Sequence, residues 1–74
     1  MNLTQLKNGE KAVVYKIDTS KRLKARLNKM GLKEGDVITF MRSAPFLSPL
    51  QVKINSYYLA IRNKDAKNIF VERK

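Results

Sequence analysis

Leu50-Gln51-Val52-Lys53-Ile54-Asn55-Ser56-Tyr57-Tyr58-Leu59-Ala60-Ile61-Arg62 reads as a β-hairpin. Leu50, Val52 and Ile54 alternate with Gln51 and Lys53. Side chains along a strand point to opposite faces in turn, so this period of two gives one buried and one wet face over Leu50 to Asn55. Asn55-Ser56 is a short connector between strand-like runs, so the third and fourth strands pair through it. The fourth strand runs from Tyr57 to Arg62. Its adjacent tyrosines cannot both face inward, and the one that points out lies near Lys53 and Arg62.

The same reading carries outward along the chain. Lys11 to Ile17 is β-branched and apolar and forms a first strand; Asp36 to Ser43 is the second and Ile69 to Glu72 the last. Thr4 to Gly9 is a capped turn, with Thr4 accepting from the amides after it and Gly9 at positive φ. Thr19 or Ser20 caps a helix in which Leu23, Leu27 and Met30 recur at i, i+4 and i+7, while Lys21, Arg22, Lys24 and Lys29 fall into water. Gly31 ends it, and Leu32 to Asp36 is a turn with Gly35 in the left-handed region. Leu23, Leu27, Met30, Gly31 and Gly35 therefore read as architecture. Asn63 caps a single helical turn, Lys64 to Lys67, before the last strand. The fold class expected is mainly β: a small, strongly bent five-stranded barrel with one amphipathic helix after the first strand and a short helical turn before the last. Closing the sheet removes most edges, which matters with so little core. Residues 1–74 make one domain, able to bury about 60% of the surface its unfolded chain exposes.

Composition narrows function. Sixteen Lys and Arg face six Asp and Glu, giving a net charge of +10. That field draws in nucleic acid, an anionic membrane surface or an acidic partner protein. With no histidine and no cysteine, the chain lacks the usual proton shuttle near neutral pH, the thiolate nucleophile and the main ligands of iron, zinc and copper. Its serines have no histidine base, so neither enzymatic activity nor a bound metal or cofactor is expected. Glu34 and Asp36 are the only carboxylates close together, and they read as a solvated turn. Gly31-Leu32-Lys33-Glu34-Gly35-Asp36 lacks the Gly-Lys-Ser/Thr ending of a phosphate-binding loop. Apolar runs such as Ala12 to Tyr15 are far short of the ~20 residues that cross a bilayer. The opening residues do not resemble a signal peptide. A cytoplasmic location is expected.

Both prolines fall in Arg42-Ser43-Ala44-Pro45-Phe46-Leu47-Ser48-Pro49-Leu50, between two strands. Proline cannot donate to a sheet ladder and biases its predecessor toward extended backbone. A loop pinned at both ends holds Phe46 and Leu47 in a pre-ordered segment, which lowers the entropy lost on docking.

Taken in order, Leu6-x-x-Gly9, Val14-x-x-Ile17, Arg26-Leu27-x-x-Met30-Gly31-Leu32-x-x-Gly35, Ala44-Pro45-x-x-x-Pro49 and Leu59-Ala60-Ile61-Arg62-x-x-x-Ala66-x-x-Ile69-x-Val71 resemble the FeoA family of ferrous iron transport proteins over nearly the whole chain. The resemblance implies an SH3-like β-barrel with an inserted helix. It also implies an accessory or regulatory role beside FeoB, the membrane permease with a GTP-binding domain that imports Fe(II). The family is also associated with transition-metal binding, and its domain occurs at the end of metal-dependent transcriptional repressors. This chain differs in two places: Phe46-Leu47-Ser48 replaces a frequent glycine-acid pair, which makes the loop more apolar, and Asn55-Ser56 stands where a glycine is usual.

The reading that follows is a docking module for the cytoplasmic part of FeoB. Pro45, Phe46, Leu47 and Pro49 are its contact residues, and Arg42, Tyr58 and Arg62 form a basic-aromatic rim. Two other readings stay open: an oligonucleotide-binding barrel that pairs basic charge with a stacking tyrosine, and a metal-sensing module.

Overall fold

Strand β1 (Lys11–Ile17) sits inside the sheet, with β2 (Val37–Met41) on one side and β5 (Ile69–Arg73) on the other, both antiparallel to it. Beyond β2 follow β3 (Leu50–Ile54) and β4 (Tyr57–Ile61), so the single sheet has the order β4-β3-β2-β1-β5. Helix α1 (Lys21–Lys29) follows β1, the single turn α2 (Asn63–Ala66) precedes β5, and a 3-10 turn at Leu3–Gln5 opens the chain. The computed structural model describes residues 1–41 and 49–74. The expected mainly β architecture, with its helix and helical turn in those places, is the one found.

Alternation builds the core. In β3 Leu50, Val52 and Ile54 are buried while Gln51 and Lys53 are exposed, and β2 buries Ile38 and Phe40. These meet Val14, Leu32, Ile69 and Val71 in one apolar cluster. No polar or charged residue is buried among the described residues, so apolar packing alone carries the interior. In β1 the alternation breaks where Tyr15 and Lys16 are both exposed. There the β1–β5 register shifts between Val14 and Lys16, as at a β-bulge. Tyr15 packs beside Phe70 there, ring centroids 6.4 Å apart.

Several local expectations are corrected. The cap of the first turn is Asn2, whose side chain accepts from the Thr4 amide at 2.9 Å while Gln5 reaches back to the Asn2 amide at 2.8 Å. For α1 the expected choice between Thr19 and Ser20 resolves to Ser20, which accepts from the Leu23 amide at 3.2 Å. The second strand begins at Val37 and its described part ends at Met41; the expected tail, Arg42 and Ser43, lies outside the described residues. Arg62 ends no strand but stands as the N-cap residue of α2, displacing Asn63 into the turn. Met30 is 36% exposed rather than core, because the helix ends there. Both Tyr57 and Tyr58 are exposed; Tyr57 sits beside the hairpin turn and donates its hydroxyl to the Met30 carbonyl at the end of α1.

The end of α1 fixes the helix against the sheet. Leu32 donates its amide to the Leu27 carbonyl at 2.9 Å and Gly31 to Asn28 at 3.0 Å, the paired bonds of a Schellman cap with Gly31 at φ +101°. Leu32 then enters the core. Glu34, two residues on, accepts from the Ile17 amide at 2.9 Å and from Lys24 Nζ at 3.4 Å, tying the turn to both β1 and α1. The Ile17 amide first, and then the Lys24 ammonium, hold its carboxyl below the usual value of 4.5. A depressed folded-state pKa stabilises the fold fully above the unfolded value, and that stabilisation disappears as pH falls through the folded one. Glu34→Gln should therefore be less stable than the parent at neutral pH and should lose less stability on acidification below about pH 4.5. Urea melts across that range check this; parallel pH profiles for the two proteins would remove the carboxylate from the account.

Candidate functional site

The proline-bracketed loop leaves the sheet between Met41 and Leu50. Met41 pairs with Gln51 and Leu50 with Ile61, so the base of the loop lies beside the end of β4. Pro49 is exposed there, while Leu50 is buried. Arg42, Pro45, Phe46 and Leu47 lie outside the described residues.

Tyr58 and Arg62, expected to share one rim, face different surfaces. Tyr58 is paired with Lys53, Lys53 with Thr39, and Thr39 with Lys11, which makes a cross-strand row on the solvent face of the sheet. Lys53 Nζ stands 6.0 Å from the Tyr58 ring centroid, a cation–π distance. Arg62 lies past the end of β4, where the backbone turns into α2, and its Nε is 3.5 Å from Asp65 Oδ2.

Arg62 belongs instead to a groove between α1 and α2. One wall is α1, where Arg22, Arg26 and Lys29 recur at i, i+4 and i+7, beside the apolar stripe of Leu23, Leu27 and Met30. The facing wall carries Arg62, Lys64 and Asp65, and the space between holds about 550 Å³. An adjoining hollow of about 220 Å³ exposes an apolar floor of Leu23, Met30 and Ala60. Five cations and one carboxylate line the main groove, and the carboxylate is the one beside Arg62. Arg22, Arg26, Lys29 and Lys64 form no ion pair among the described residues. Of the groove residues only Arg62 was singled out in the sequence; Arg22 and Lys29 read as solvent-facing, and Arg26, Lys64 and Asp65 were not picked as site residues. The available signal was the second stripe at helical spacing, cationic and one residue out of phase with the leucines.

This arrangement, with cations on both walls, can hold anions. The donor set does not fit a transition metal. The chain has no histidine or cysteine, and no group of three or more carboxylates among the described residues could hold an ion. Glu34 serves the Ile17 amide and Lys24, and Asp36 accepts from the Lys33 amide at 2.8 Å, so both act within the turn.

Comparison with known proteins places the fold. A family model described as the FeoA domain matches residues 1–73. The Fe(2+) transport protein A/Fe(2+) transporter FeoB fusion protein of Porphyromonas gingivalis is 32% identical over 72 residues. That match takes in 97% of this chain but only 8% of the fusion protein, so the chain spans a small fraction of that relative. The solution structure of FeoA from Chlorobium tepidum superposes with a TM-score of 0.91 at 32% identity, covering 99% of this chain and 70% of that one. FeoA from Stenotrophomonas maltophilia, solved with zinc and described as a prokaryotic SH3 domain protein, gives a TM-score of 0.74 at 25% identity, covering 97% and 89%. The SH3-like architecture expected from the sequence is the one these structures share.

Proposed function

The chain belongs to the FeoA family, which is associated with ferrous iron transport, and on that premise we propose that it is a non-enzymatic accessory protein of ferrous iron uptake, acting by binding the cytoplasmic part of a FeoB-type permease. The observation that carries this reading is the Porphyromonas relative, in which an Fe(2+) transport protein A and FeoB form one polypeptide. Joining two modules in one polypeptide raises the effective concentration of each for the other, up to about millimolar where the linker is short and flexible. No helix among the described residues is long and apolar enough to cross a membrane. In this proposal the chain works in the cytoplasm and reaches the membrane through its partner.

The contacts proposed are Pro45, Phe46, Leu47 and Pro49, with Arg42 beside them. An aromatic and an aliphatic side chain held between two prolines suit a small apolar anchor, the kind of residue that dominates binding energy. Tyr58 and Arg62 contribute from separate surfaces rather than as one rim. Titration of this protein into the soluble GTP-binding domain of its permease, followed by calorimetry, tests the reading. Phe46→Ala with Leu47→Ser should weaken binding about tenfold or more, since a truncated anchor costs over ~1.4 kcal/mol. Unchanged affinity and unchanged iron uptake in that variant would take the loop out of the interface.

A further inference from the structure

The described lining of the cationic groove between α1 and α2 comes from those two helices and the end of β4. We infer that the groove is a docking site for an acidic, amphipathic polypeptide segment: one whose carboxylates flank an apolar side chain. Arg22 and Arg26 are one helical turn apart, about 6 Å along the axis. Carboxylates at i and i+4 of a helix, or at i and i+2 of a strand, repeat at nearly the same interval. Arg62 and Lys64 meet such a segment from the facing wall.

Charge and shape choose this occupant over the others. The groove lining carries five cations against Asp65 alone, and like charges held around one concavity repel until an anion enters. A second copy of the chain, itself at +10, is therefore disfavoured. Among the described residues the lining contains no aromatic ring, so these residues offer no platform for the stacking that single-stranded nucleic acid requires. A bilayer presents a flat sheet of headgroups and leaves the apolar floor uncovered, whereas a polypeptide side chain can reach it. The floor itself suits a Leu-sized insert: Leu23 is half-buried, and Met30, 36% exposed, has an adaptable side chain.

This inference goes beyond the permease reading and does not depend on it. The test uses the full chain and a fluorescein-labelled synthetic peptide that alternates Glu pairs with single Leu residues. A twin peptide with Ser in place of each Leu and vesicles containing phosphatidylserine serve as comparisons. The Glu/Leu peptide should bind, and Arg22→Glu with Arg26→Glu should weaken it at least tenfold. The Ser twin should bind the parent at least tenfold more weakly. Both arginines are exposed, and circular dichroism of the double variant, with Arg22→Ala/Arg26→Ala as a milder second variant, verifies that the helix persists. Equal affinity for the two peptides, or equal affinity of parent and both variants, would overturn the site. So would vesicle binding that depends on these arginines where peptide binding does not. Loss of permease binding in the loop variant alone would concern the other surface and leave this one standing.

Discussion

Leu27→Ala is expected to lower the unfolding free energy by about 2–5 kcal/mol, the usual range for deleting a buried leucine side chain. A domain of 74 residues has roughly 4–11 kcal/mol in total, so the variant loses a large share of it. At about 4–8 °C per kcal/mol for a domain this size, a 3 kcal/mol loss moves the melting temperature by roughly 12–24 °C. The effect is large because α1 has one anchor. Leu27, 3% exposed, is the only fully buried residue of the helix, and its carbonyl also accepts the Leu32 amide that closes the cap. Leu23 is only half-buried and Met30 is exposed, so Met30→Ala should melt within a few degrees of the parent. Thermal unfolding followed by circular dichroism separates the two. A Leu27→Ala variant that also melts near the parent would show that Leu32, rather than the helix stripe, holds this element. Because Leu27 supports one wall of the groove, the same variant should lose the acidic peptide along with its stability.

The second large effect is at Gly31. Its φ of +101° disfavours any residue with a Cβ, and a Cβ built there would lie 1.7 Å from Tyr57 Oη. Gly9 supplies the comparison, with φ +86° and nothing within 4 Å of the same position. Gly9→Ala therefore reports backbone strain alone, about 1–2 kcal/mol. Gly31→Ala adds displacement of Tyr57 and loss of the hydrogen bond its hydroxyl donates to the Met30 carbonyl at 3.0 Å, about 1 kcal/mol more. Combining Gly31→Ala with Tyr57→Phe removes the nearest atom and leaves a ring carbon at 3.0 Å. The pair should then cost less than the sum of the singles. Additive losses would mean that Tyr57 swings away freely and that strain at Gly31 is the whole effect. Urea melts of the four proteins decide it.

Elements set by a local rule were legible in the sequence. The β3–β4 hairpin follows from strict alternation, and Asn55 takes φ +55° at the turn, a conformation asparagine adopts more readily than other non-glycine residues. Ser20, Gly31 and Gly35 mark the ends of α1 and its turn because capping chemistry depends only on neighbours. What went astray depended on where an element stops. Tyr58 and Arg62 are four apart, which on a continuous strand gives one face, but β4 ends at Ile61 and the chain turns before Arg62. Met30 keeps the helical period of Leu23 and Leu27 yet sits where the helix ends, so it faces water. The groove was hidden for a related reason. Its walls come from α1 and α2, and nothing local in either segment says that they face each other.

The sheet order has a consequence for how the chain is made. β1 receives its second neighbour only from β5: Ile17 pairs with Ile69 and Ala12 with Arg73, more than fifty residues downstream. On a ribosome, β1 stays an open edge toward that side until β5 has cleared the exit tunnel. Pairings between such distant segments form slowly and leave apolar edges exposed meanwhile. The alternation-breaking bulge at Tyr15 and Lys16 lies on that waiting edge, and a distorted, partly charged edge is a poor template for strands of other chains.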